Sequence, residues 1–300
     1  MATAHRSGFV NIIGRPNVGK STLMNALVGE RMSIITNKPQ TTRHRIIGIV
    51  SDDDYQVVFS DTPGFIKDPS YSMQESMNQF VSGTFVDGDV MVLVVDVNEE
   101  YDNDNPLFNR LSKVKVPLFL VLNKIDLVDE AALLNKIVEW KDKANFKEVI
   151  PISALHKTQT ETLFQSILSY LPEGPVYYPK EQFTDRPERF FVSEIIREKL
   201  LTNYYQEIPY ACEVVVDEFK VDPNPKKNLV RIHATIYAGR KSQKNIIIGK
   251  KGASIKQLGI DARKGIEAFL EKKVYLELFV KVRDNWRNDD KMLKHFGYKH

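Results

Sequence analysis

The chain has 300 residues, of which 42% are hydrophobic and 27% are charged, values typical of a globular protein with a sizeable core. This length suggests two domains, since one domain holds about 100–200 residues. The single cysteine, Cys212, excludes an internal disulfide framework and favours a reducing compartment. We expect neither a signal peptide nor a membrane span, because a core strand begins by Phe9 and every apolar run is shorter than ~18 residues.

The charge is unevenly divided along the chain. The net charge is +3, yet residues 1–184 carry 18 Lys and Arg against 23 Asp and Glu, which is −5, and residues 185–300 carry 24 against 16, which is +8. A basic region of this kind suggests contact with a polyanion. A scattered, solvated surface would give the same total, so charge alone leaves both interpretations open.

A glycine-rich motif near the start of the chain fits the pattern G-x-x-x-x-G-K-[ST]. It follows an apolar run at residues 9–13 and precedes a helical pattern at residues 22–28. Glycines placed between a strand and a helix let backbone N–H groups face phosphates, with the lysine at the β- and γ-phosphates and the serine on Mg²⁺. The alternative, a turn with a surface lysine, does not explain the flanking strand and helix. The predicted phosphate loop is Gly14, Arg15, Pro16, Asn17, Val18, Gly19, Lys20 and Ser21, followed by Thr22.

Strands and helices alternate through the rest of the first half. A polar, proline-containing loop at residues 37–43 precedes a predicted hairpin, and longer apolar runs indicate strands buried on both faces. The predicted strands lie at residues 46–50, 55–60, 90–95 and 118–122, with a helix at 130–144 and a last strand that ends near Ile150. This order predicts an α/β fold with a mostly parallel sheet, with ligands at the carboxyl ends of the strands.

A second motif, Asp61-Thr62-Pro63-Gly64, follows the hairpin directly. The carboxylate of Asp61 stands at a strand end, where it can hold the Mg²⁺ shell. The backbone N–H of Gly64 can sense the γ-phosphate. We therefore expect this motif to meet the phosphate loop at one edge of the sheet.

Two further motifs indicate which base is bound. Asn123, Lys124, Ile125 and Asp126 follow the strand at 118–122, and Ser153 and Ala154 follow the last strand. A carboxylate at Asp126 can accept both N–H groups that guanine presents at N1 and N2, whereas adenine presents an acceptor at N1. An unpaired buried charge costs at least ~2 kcal/mol, which is more than tenfold in affinity, so Asp126 predicts guanine. The N–H of Ala154 is expected to donate to guanine O6.

Taken in order, GRPNVGKS, TTR, DTPG, NKID and SA resemble a translation-factor-type GTPase across residues 9–171. The resemblance implies hydrolysis of GTP to GDP and phosphate, with Mg²⁺ held by Ser21, Thr42 and Asp61. It assigns the switch threonine to Thr42, with its neighbour Thr41 as the alternative. The residues that it places in catalysis are Lys20, Thr42, Gly64 and Asn17.

The sequence departs from that pattern in two places. Phe65 stands where many GTPases have a glutamine that orients the attacking water, and a phenyl ring cannot do this by hydrogen bonding. Asn17 resembles the asparagine of GTPases that use K⁺ in the role of an arginine finger, so we expect a possible K⁺ requirement. The segment 155–158, which follows the base-binding motif, lacks the glycine that is common in relatives.

The second half begins after a proline-rich stretch at residues 171–179. We place the GTPase domain at residues 1–171, a semi-rigid linker at 172–189 and an α+β domain with a C-terminal tail at 190–300. The elements predicted there are a helix at 190–202, strands at 212–219 and 229–237, an isoleucine-rich segment at 245–248, a helix from Ala253, another helix at 261–270 and a strand at 274–282.

A Gly-Lys-Lys-Gly segment joins the isoleucine-rich stretch to a helix and resembles the G-x-x-G loop of a KH domain. Such a loop clamps about four nucleotides of single-stranded RNA. A tight turn with solvated lysines is the alternative, and the order of elements together with the +8 charge favours RNA. The predicted RNA-binding residues are Ile248, Gly249, Lys250, Lys251 and Gly252, with an apolar groove for bases lined by Ile247, Ile248 and Ile255.

A GTPase domain followed by this KH arrangement resembles the Era family over nearly the whole chain. The resemblance implies binding to the 3′ end of small-subunit (16S) ribosomal RNA, a role in assembly of the 30S subunit, and a cytoplasmic location with loose association with the inner membrane face. DNA is not an expected partner. Two alternatives stay open: a related GTPase acting on transfer RNA or the large subunit, and a nucleotide-dependent transfer enzyme such as a kinase.

Overall fold

The computed structural model describes residues 5–85, 87–101 and 106–299. The chain divides into two units, each with its own sheet. The first holds the chain up to Lys67 together with Met77–Asp185, and the second holds Asp68–Ser76 and the chain from Arg186 onward.

The first unit is organised around a six-stranded sheet, counted over the described residues, in the order β2-β3-β1-β4-β5-β6. Strand β2 runs antiparallel to β3, and the other neighbours are parallel. The register sets Ile12 opposite Asp61 and Asp96 opposite Asn123, so the carboxyl ends of four strands meet at one edge. The strands are β1 (Arg6–Ile13), β2 (Ile46–Ser51), β3 (Tyr55–Asp61), β4 (Val90–Asp96), β5 (Leu118–Asn123) and β6 (Glu148–Pro151).

Helices cover this sheet, and local sequence sets their ends. Gly19 and Gly29 flank α1 with φ of 98° and 82°, in the left-handed region that glycine enters without strain. Asp129 begins α4 by accepting the N–H of Ala132. Helix α4 ends at Lys141, before the end predicted at residue 144. The helices are α1 (Lys20–Val28), α2 (Ser72–Gly83), α3 (Pro106–Leu111), α4 (Glu130–Lys141) and α5 (Thr160–Tyr170).

The segment that follows α5 is hydrogen-bonded to the first unit as far as Phe183. The buried Gln56 amide accepts the N–H groups of Tyr177 and Tyr178, at 2.8 and 2.9 Å, and donates to the Tyr178 carbonyl at 2.8 Å. The Ile49 N–H donates to the Phe183 carbonyl at 2.8 Å, which covers the free edge of β2. This part of the chain therefore lies on the sheet as an ordered strap.

The second unit packs helices on one face of a three-stranded sheet in the order β7-β8-β9, in which β7 and β8 are antiparallel and β8 and β9 are parallel. Its core takes in Cys212, which is fully buried. Over the described residues, helices of this chain are too short or too polar to cross a membrane. The elements are α6 (Glu188–Asn203), β7 (Cys212–Val221), β8 (Leu229–Ala238), α7 (Lys241–Ile248), α8 (Ala253–Leu270), β9 (Lys273–Val282) and α9 (Asp290–His295).

The helices around the Gly-Lys-Lys-Gly loop differ from the prediction. The isoleucine-rich segment is the end of helix α7, and the two helices predicted after the loop are one continuous helix, α8. Helix α8 stays unbroken because Leu258, Ala262 and Ile266 recur every four residues and bury one continuous face. The prediction of two separate helices was therefore wrong.

The chain end and residues 68–76 both belong to the second unit. The Trp286 indole donates to the Ala211 carbonyl at 2.9 Å. The Ser72 N–H donates to Asn288 Oδ1 at 3.0 Å, and the Arg287 guanidinium lies 4.2 Å from the centre of the Tyr71 ring. The segment that begins four residues after Gly64 is thus held by the tail of the second unit.

We expect Gln56→Leu to lower the free energy of unfolding by about 1–3 kcal/mol, because it removes the hydrogen-bond partner of two partly buried N–H groups and a carbonyl. Urea unfolding measures this change, and limited proteolysis should show faster cleavage within residues 172–185. The control Lys180→Ala removes only an exposed pair with Asp53 and should leave the unfolding curve unchanged. Equal stability of Gln56→Leu and the unaltered protein would contradict the claim that Gln56 holds the strap on the sheet.

Candidate functional site

The predicted motifs meet around a cavity of about 450 Å³ at the carboxyl edge of the first sheet. This is where ligands bind in open α/β sheets. Motif residues that line the cavity are Pro16, Asn17, Gly19, Lys20, Ser21, Thr22, Thr42, Gly64, Asn123, Lys124, Asp126 and Ser153.

The phosphate loop depends on two glycines that no other residue can replace. A Cβ on Gly14 would lie 2.3 Å from the Val94 carbonyl oxygen, and one on Gly19 would lie 2.2 Å from Asn123 Nδ2. Both have positive φ, which L side chains rarely adopt. The loop therefore brings its backbone close against strand β4 and against the base-binding motif.

The Lys20 ammonium lies inside this loop. It donates to the carbonyls of Gly14 at 3.1 Å and Arg15 at 2.8 Å. Burial lowers the pKa of Lys20 to about 8, while the nearby Asp61 carboxylate opposes the shift. A phosphate in the cavity would favour the charged form, because it brings negative charge to a buried ammonium.

Three oxygen groups converge at the end of β3 as a candidate Mg²⁺ site. Asp61 Oδ2 accepts from Ser21 Oγ at 2.7 Å and from Thr42 Oγ1 at 3.5 Å, and the two hydroxyls lie 2.9 Å apart. Asp61 is fully buried, its Oδ1 has no hydrogen-bond partner among the described residues, and burial raises its pKa. A buried carboxylate with an unpaired oxygen beside two hydroxyls fits a hard cation such as Mg²⁺. Ser33, which sequence reasoning missed, also donates to Asp61 Oδ2, at 3.0 Å.

The two neighbouring threonines face different surroundings. Thr42 points to Ser21 and Asp61, whereas Thr41 Oγ1 lies 2.6 Å from Thr36 Oγ1 and donates to the Lys38 carbonyl at 2.6 Å. The Thr41 hydroxyl therefore makes hydrogen bonds within its own loop. The Thr42 hydroxyl is the one that reaches the candidate metal position.

Asn123 joins the two ends of the cavity. This buried amide donates from Nδ2 to the Val18 carbonyl at 2.8 Å and accepts the Ala154 N–H on Oδ1 at 3.0 Å. The prediction that the Ala154 N–H donates to guanine O6 does not match this geometry. The buried Asn123 oxygen needs a donor, and the Ala154 N–H already supplies it.

Asp126 stands at the open end of the cavity. Ser153 Oγ donates to its Oδ1 at 2.5 Å, and its side chain is about one quarter exposed. Lys124 adopts a left-handed conformation and pairs with Asp96 at 2.7 Å, which anchors the turn that presents Asp126. The carboxylate thus keeps accepting capacity toward the cavity while Ser153 fixes its orientation.

Several residues predicted to bind nucleotide lie outside the cavity lining. The Arg15 side chain turns away: it pairs with Glu99 at 3.1 Å and lies 3.7 Å from the centre of the Tyr101 ring. Thr62 donates to the Ile12 carbonyl at 3.1 Å, which gives it a structural partner. Within the described chain, the predicted residues that do not line the cavity are Gly14, Arg15, Val18, Asp61, Thr62, Pro63, Phe65, Ile125 and Ala154.

Sequence reasoning also missed apolar residues at the cavity. Leu127 and Leu155 directly follow the two base-binding motifs, are 60% and 73% exposed, and line the cavity. Exposed leucines at these positions can cover the faces of a base. Their place immediately after the NKID and SA motifs is the sequence signal that could have identified them. The loop ahead of the switch threonine adds Ile34, Ile35, Thr36, Asn37 and Gln40.

In the second unit, the Gly-Lys-Lys-Gly loop has three residues with positive φ: Gly249 at 72°, Lys251 at 51° and Gly252 at 78°. A Cβ on Gly249 would lie 2.1 Å from Ser254 Oγ, so only glycine fits. Lys250 and Lys251 are exposed. The loop therefore presents two exposed cations on a backbone that a phosphate can approach.

A groove of about 390 Å³ lies between α8 and β9, and its first lining residue on α8, Ile255, comes three residues after Gly252. Ile255 lines it, but Ile247 is fully buried in the core and cannot, so that part of the predicted apolar groove was wrong. Ile248 is half-buried and packs against the same core. The groove residues that sequence reasoning missed are Lys256, Gly259, Ile260, Arg263, Val274, Tyr275, Leu276 and Leu278.

The groove residues on α8 do carry a sequence signal. Ile255, Gly259 and Arg263 are spaced by four residues, as are Lys256 and Ile260, so they share one side of the helix. The spacing places these residues on one side only in a continuous helix, and the prediction had divided α8 into two helices.

Comparison with known proteins agrees with this geometry. Residues 9–124 match the family described as 50S ribosome-binding GTPase, and residues 207–287 match the KH domain family. The chain is 47% identical to GTPase Era of Syntrophus aciditrophicus over 98% of this chain and 95% of that protein. It is 46% identical to GTPase Era of Staphylococcus haemolyticus over 99% and 98%.

Two solved structures match along the full length. A variant of Aquifex aeolicus Era bound to GDP and AlF₄⁻ has a TM-score of 0.93 at 37% identity, covering 98% of this chain and 100% of that one. Era in complex with MgGDPNP and nucleotides 1506–1542 of 16S ribosomal RNA has a TM-score of 0.90 at 36% identity, covering 99% and 100%. The chain belongs to the Era family of GTPases.

Proposed function

We propose that this GTPase is a molecular switch that binds the 3′ end of 16S ribosomal RNA through its second unit and acts in assembly of the 30S subunit. The observation that carries the proposal is the exposed Gly-Lys-Lys-Gly loop directly before helix α8, which lines a groove with β9, in a chain whose GTPase motifs line one cavity. The Era structure with MgGDPNP and 16S nucleotides supports it, because this chain matches that protein over 99% of its length.

Hydrolysis of GTP requires a water to attack the γ-phosphate in line with the leaving oxygen. Lys20 neutralises charge at the β- and γ-phosphates, and the Gly64 N–H stabilises the γ-phosphate end. Ser21, Thr42 and Asp61 would hold Mg²⁺, which supplies further neutralisation when it is bound. Phe65 offers no hydrogen bond to the water. Catalysis in this chain therefore relies on positive charges, those of Lys20 and Mg²⁺, held beside the phosphates.

The switch would work through the two elements that face the γ-phosphate. Thr42 and Gly64 both line the cavity, so loss of the γ-phosphate removes a contact from each loop. Four residues after Gly64, the chain enters the segment Asp68–Ser76, which packs with the second unit. This continuity supports coupling between the nucleotide and the RNA-binding unit.

The groove suits single-stranded RNA. Lys250 and Lys251 can neutralise phosphates, and Arg263 adds a third exposed cation along the path. The Tyr275 ring is 46% exposed at the groove and can stack on a base. The description of the matching GTPase family favours a second candidate, action on the large subunit. Crosslinking Lys250 in cells and sequencing the attached RNA separates the two.

We also propose a cytoplasmic protein with loose association with the inner membrane face, on the strength of the family resemblance. Co-sedimentation with anionic lipid vesicles tests the membrane part of this proposal.

Replacing Asp126 by asparagine should weaken GTP binding at least tenfold and admit xanthosine nucleotides, because the amide donates where guanine also donates. Calorimetric titration with GTP and with xanthosine triphosphate measures both effects. Asp142→Asn makes the same chemical change at an exposed position and should bind GTP normally. Unchanged GTP affinity in Asp126→Asn would contradict the proposal that this carboxylate selects guanine.

Lys250→Ala combined with Lys251→Ala should weaken binding to RNA of 16S nucleotides 1506–1542 and flatten the salt dependence by ~1–2 in log-log slope. The matched control is Lys226→Ala with Lys227→Ala, an exposed lysine pair that precedes β8, whereas α7 and the loop follow the other end of that strand. The control should keep most of the affinity. Equal losses in both double variants would show that the lysines act only as diffuse charge.

We propose that Asn17 supports a K⁺ site beside the phosphates. Asn17 Nδ2 donates to the Asn37 carbonyl at 3.2 Å, which leaves its side-chain oxygen for a cation. Turnover should be faster in KCl than in NaCl, and Asn17→Ala should abolish the difference. Equal turnover of the unaltered protein in both salts refutes the site.

A further inference from the structure

A second cavity lies beside the phosphate loop in the first unit. It has a volume of about 150 Å³, and residues that line it include Ile13, Arg15, Pro16, Phe65, Leu107 and Arg110. Pro16 lines both this cavity and the nucleotide cavity, whereas Phe65 lines only the second one. The phosphate loop therefore separates Phe65 from the nucleotide.

Gly64, which precedes Phe65, is pressed against that same loop. A Cβ on Gly64 would lie 2.6 Å from both the backbone nitrogen and Cγ of Pro16. Gly64 also lines the nucleotide cavity, so in the position where it contacts Pro16 it faces the nucleotide site. Whatever holds the Phe65 ring in place consequently also sets the position of Gly64.

Arg110, in the short helix α3, holds that ring. Its guanidinium carbon lies 4.6 Å from the centre of the half-buried Phe65 ring. At this distance a cation is attracted to the negative face of an aromatic ring. The Phe65 ring is therefore one partner of the Arg110 charge.

We propose that Arg110 is a positioning residue for GTP hydrolysis, which holds the Phe65 ring at the wall of the second cavity and thereby fixes the Gly64 N–H for the γ-phosphate. Phe65 occupies the position at which a glutamine would orient water in other GTPases, and it contributes nothing of that kind. Its function in this chain is to hold the backbone of Gly64 in position. The ring and Arg110 together anchor the start of the second switch segment on the far side of the phosphate loop.

The test is a kinetic comparison of full-length variants. Arg110→Ala should lower kcat for GTP hydrolysis about two- to fivefold, the factor that corresponds to one exposed cation–π contact. The KM for GTP and the Kd for GDP should not change, because Arg110 does not line the nucleotide cavity. Arg110→Lys keeps the cation and should restore at least half of kcat. Lys113→Ala, an exposed lysine just beyond α3, is the control and should leave kcat unaltered.

A double-mutant cycle with Phe65→Leu separates positioning from general packing. Leucine keeps an apolar side chain at the cavity wall but has no aromatic face, so Phe65→Leu alone should also lower kcat. In that background Arg110→Ala should change kcat by less than twofold. The proposal is overturned if the two losses multiply, if Arg110→Ala leaves kcat unchanged or raises it, or if it acts on the Kd for GDP instead.

Discussion

Everything at the nucleotide site depends on one buried amide. Asn123 ends strand β5, donates to the Val18 carbonyl of the phosphate loop and accepts the Ala154 N–H of the base-binding loop. Gly19 packs so closely on its nitrogen that any side chain there would clash. The two hydrogen bonds make a phosphate site and a base site into one pocket, since each loop is held in place through the same side chain.

The two ends of that pocket differ in their exposure to water. Lys20 and Asp61 are buried at the phosphate end, where low dielectric strengthens their attraction to phosphate and cation. Asp126 lies at the open end and keeps part of its surface in water. Buried charges at the phosphate end favour catalysis by electrostatic stabilisation of the transition state. We propose that the accessible carboxylate of Asp126 selects the base as it enters.

Sequence predicted well what contiguous residues decide. The mostly parallel sheet follows from the apolar runs, and the five motifs carry the resemblance that implied a GTPase domain followed by a KH domain. Side-chain direction was not predictable in this way, and Arg15 turns outward because Glu99 and Tyr101, more than eighty residues later, draw its charge. Ile247 was misplaced for a related reason: which face of α7 is buried is decided by packing against distant elements.

The central claim is that one pocket, held together by Asn123, recognises guanine by the carboxylate of Asp126. Calorimetric titration of the unaltered protein with GTP and with ATP, in the same Mg²⁺ buffer, tests it most directly. The account predicts that GTP binds at least tenfold more tightly, because adenine sets a lone pair against the carboxylate. Equal affinity for the two nucleotides would contradict it.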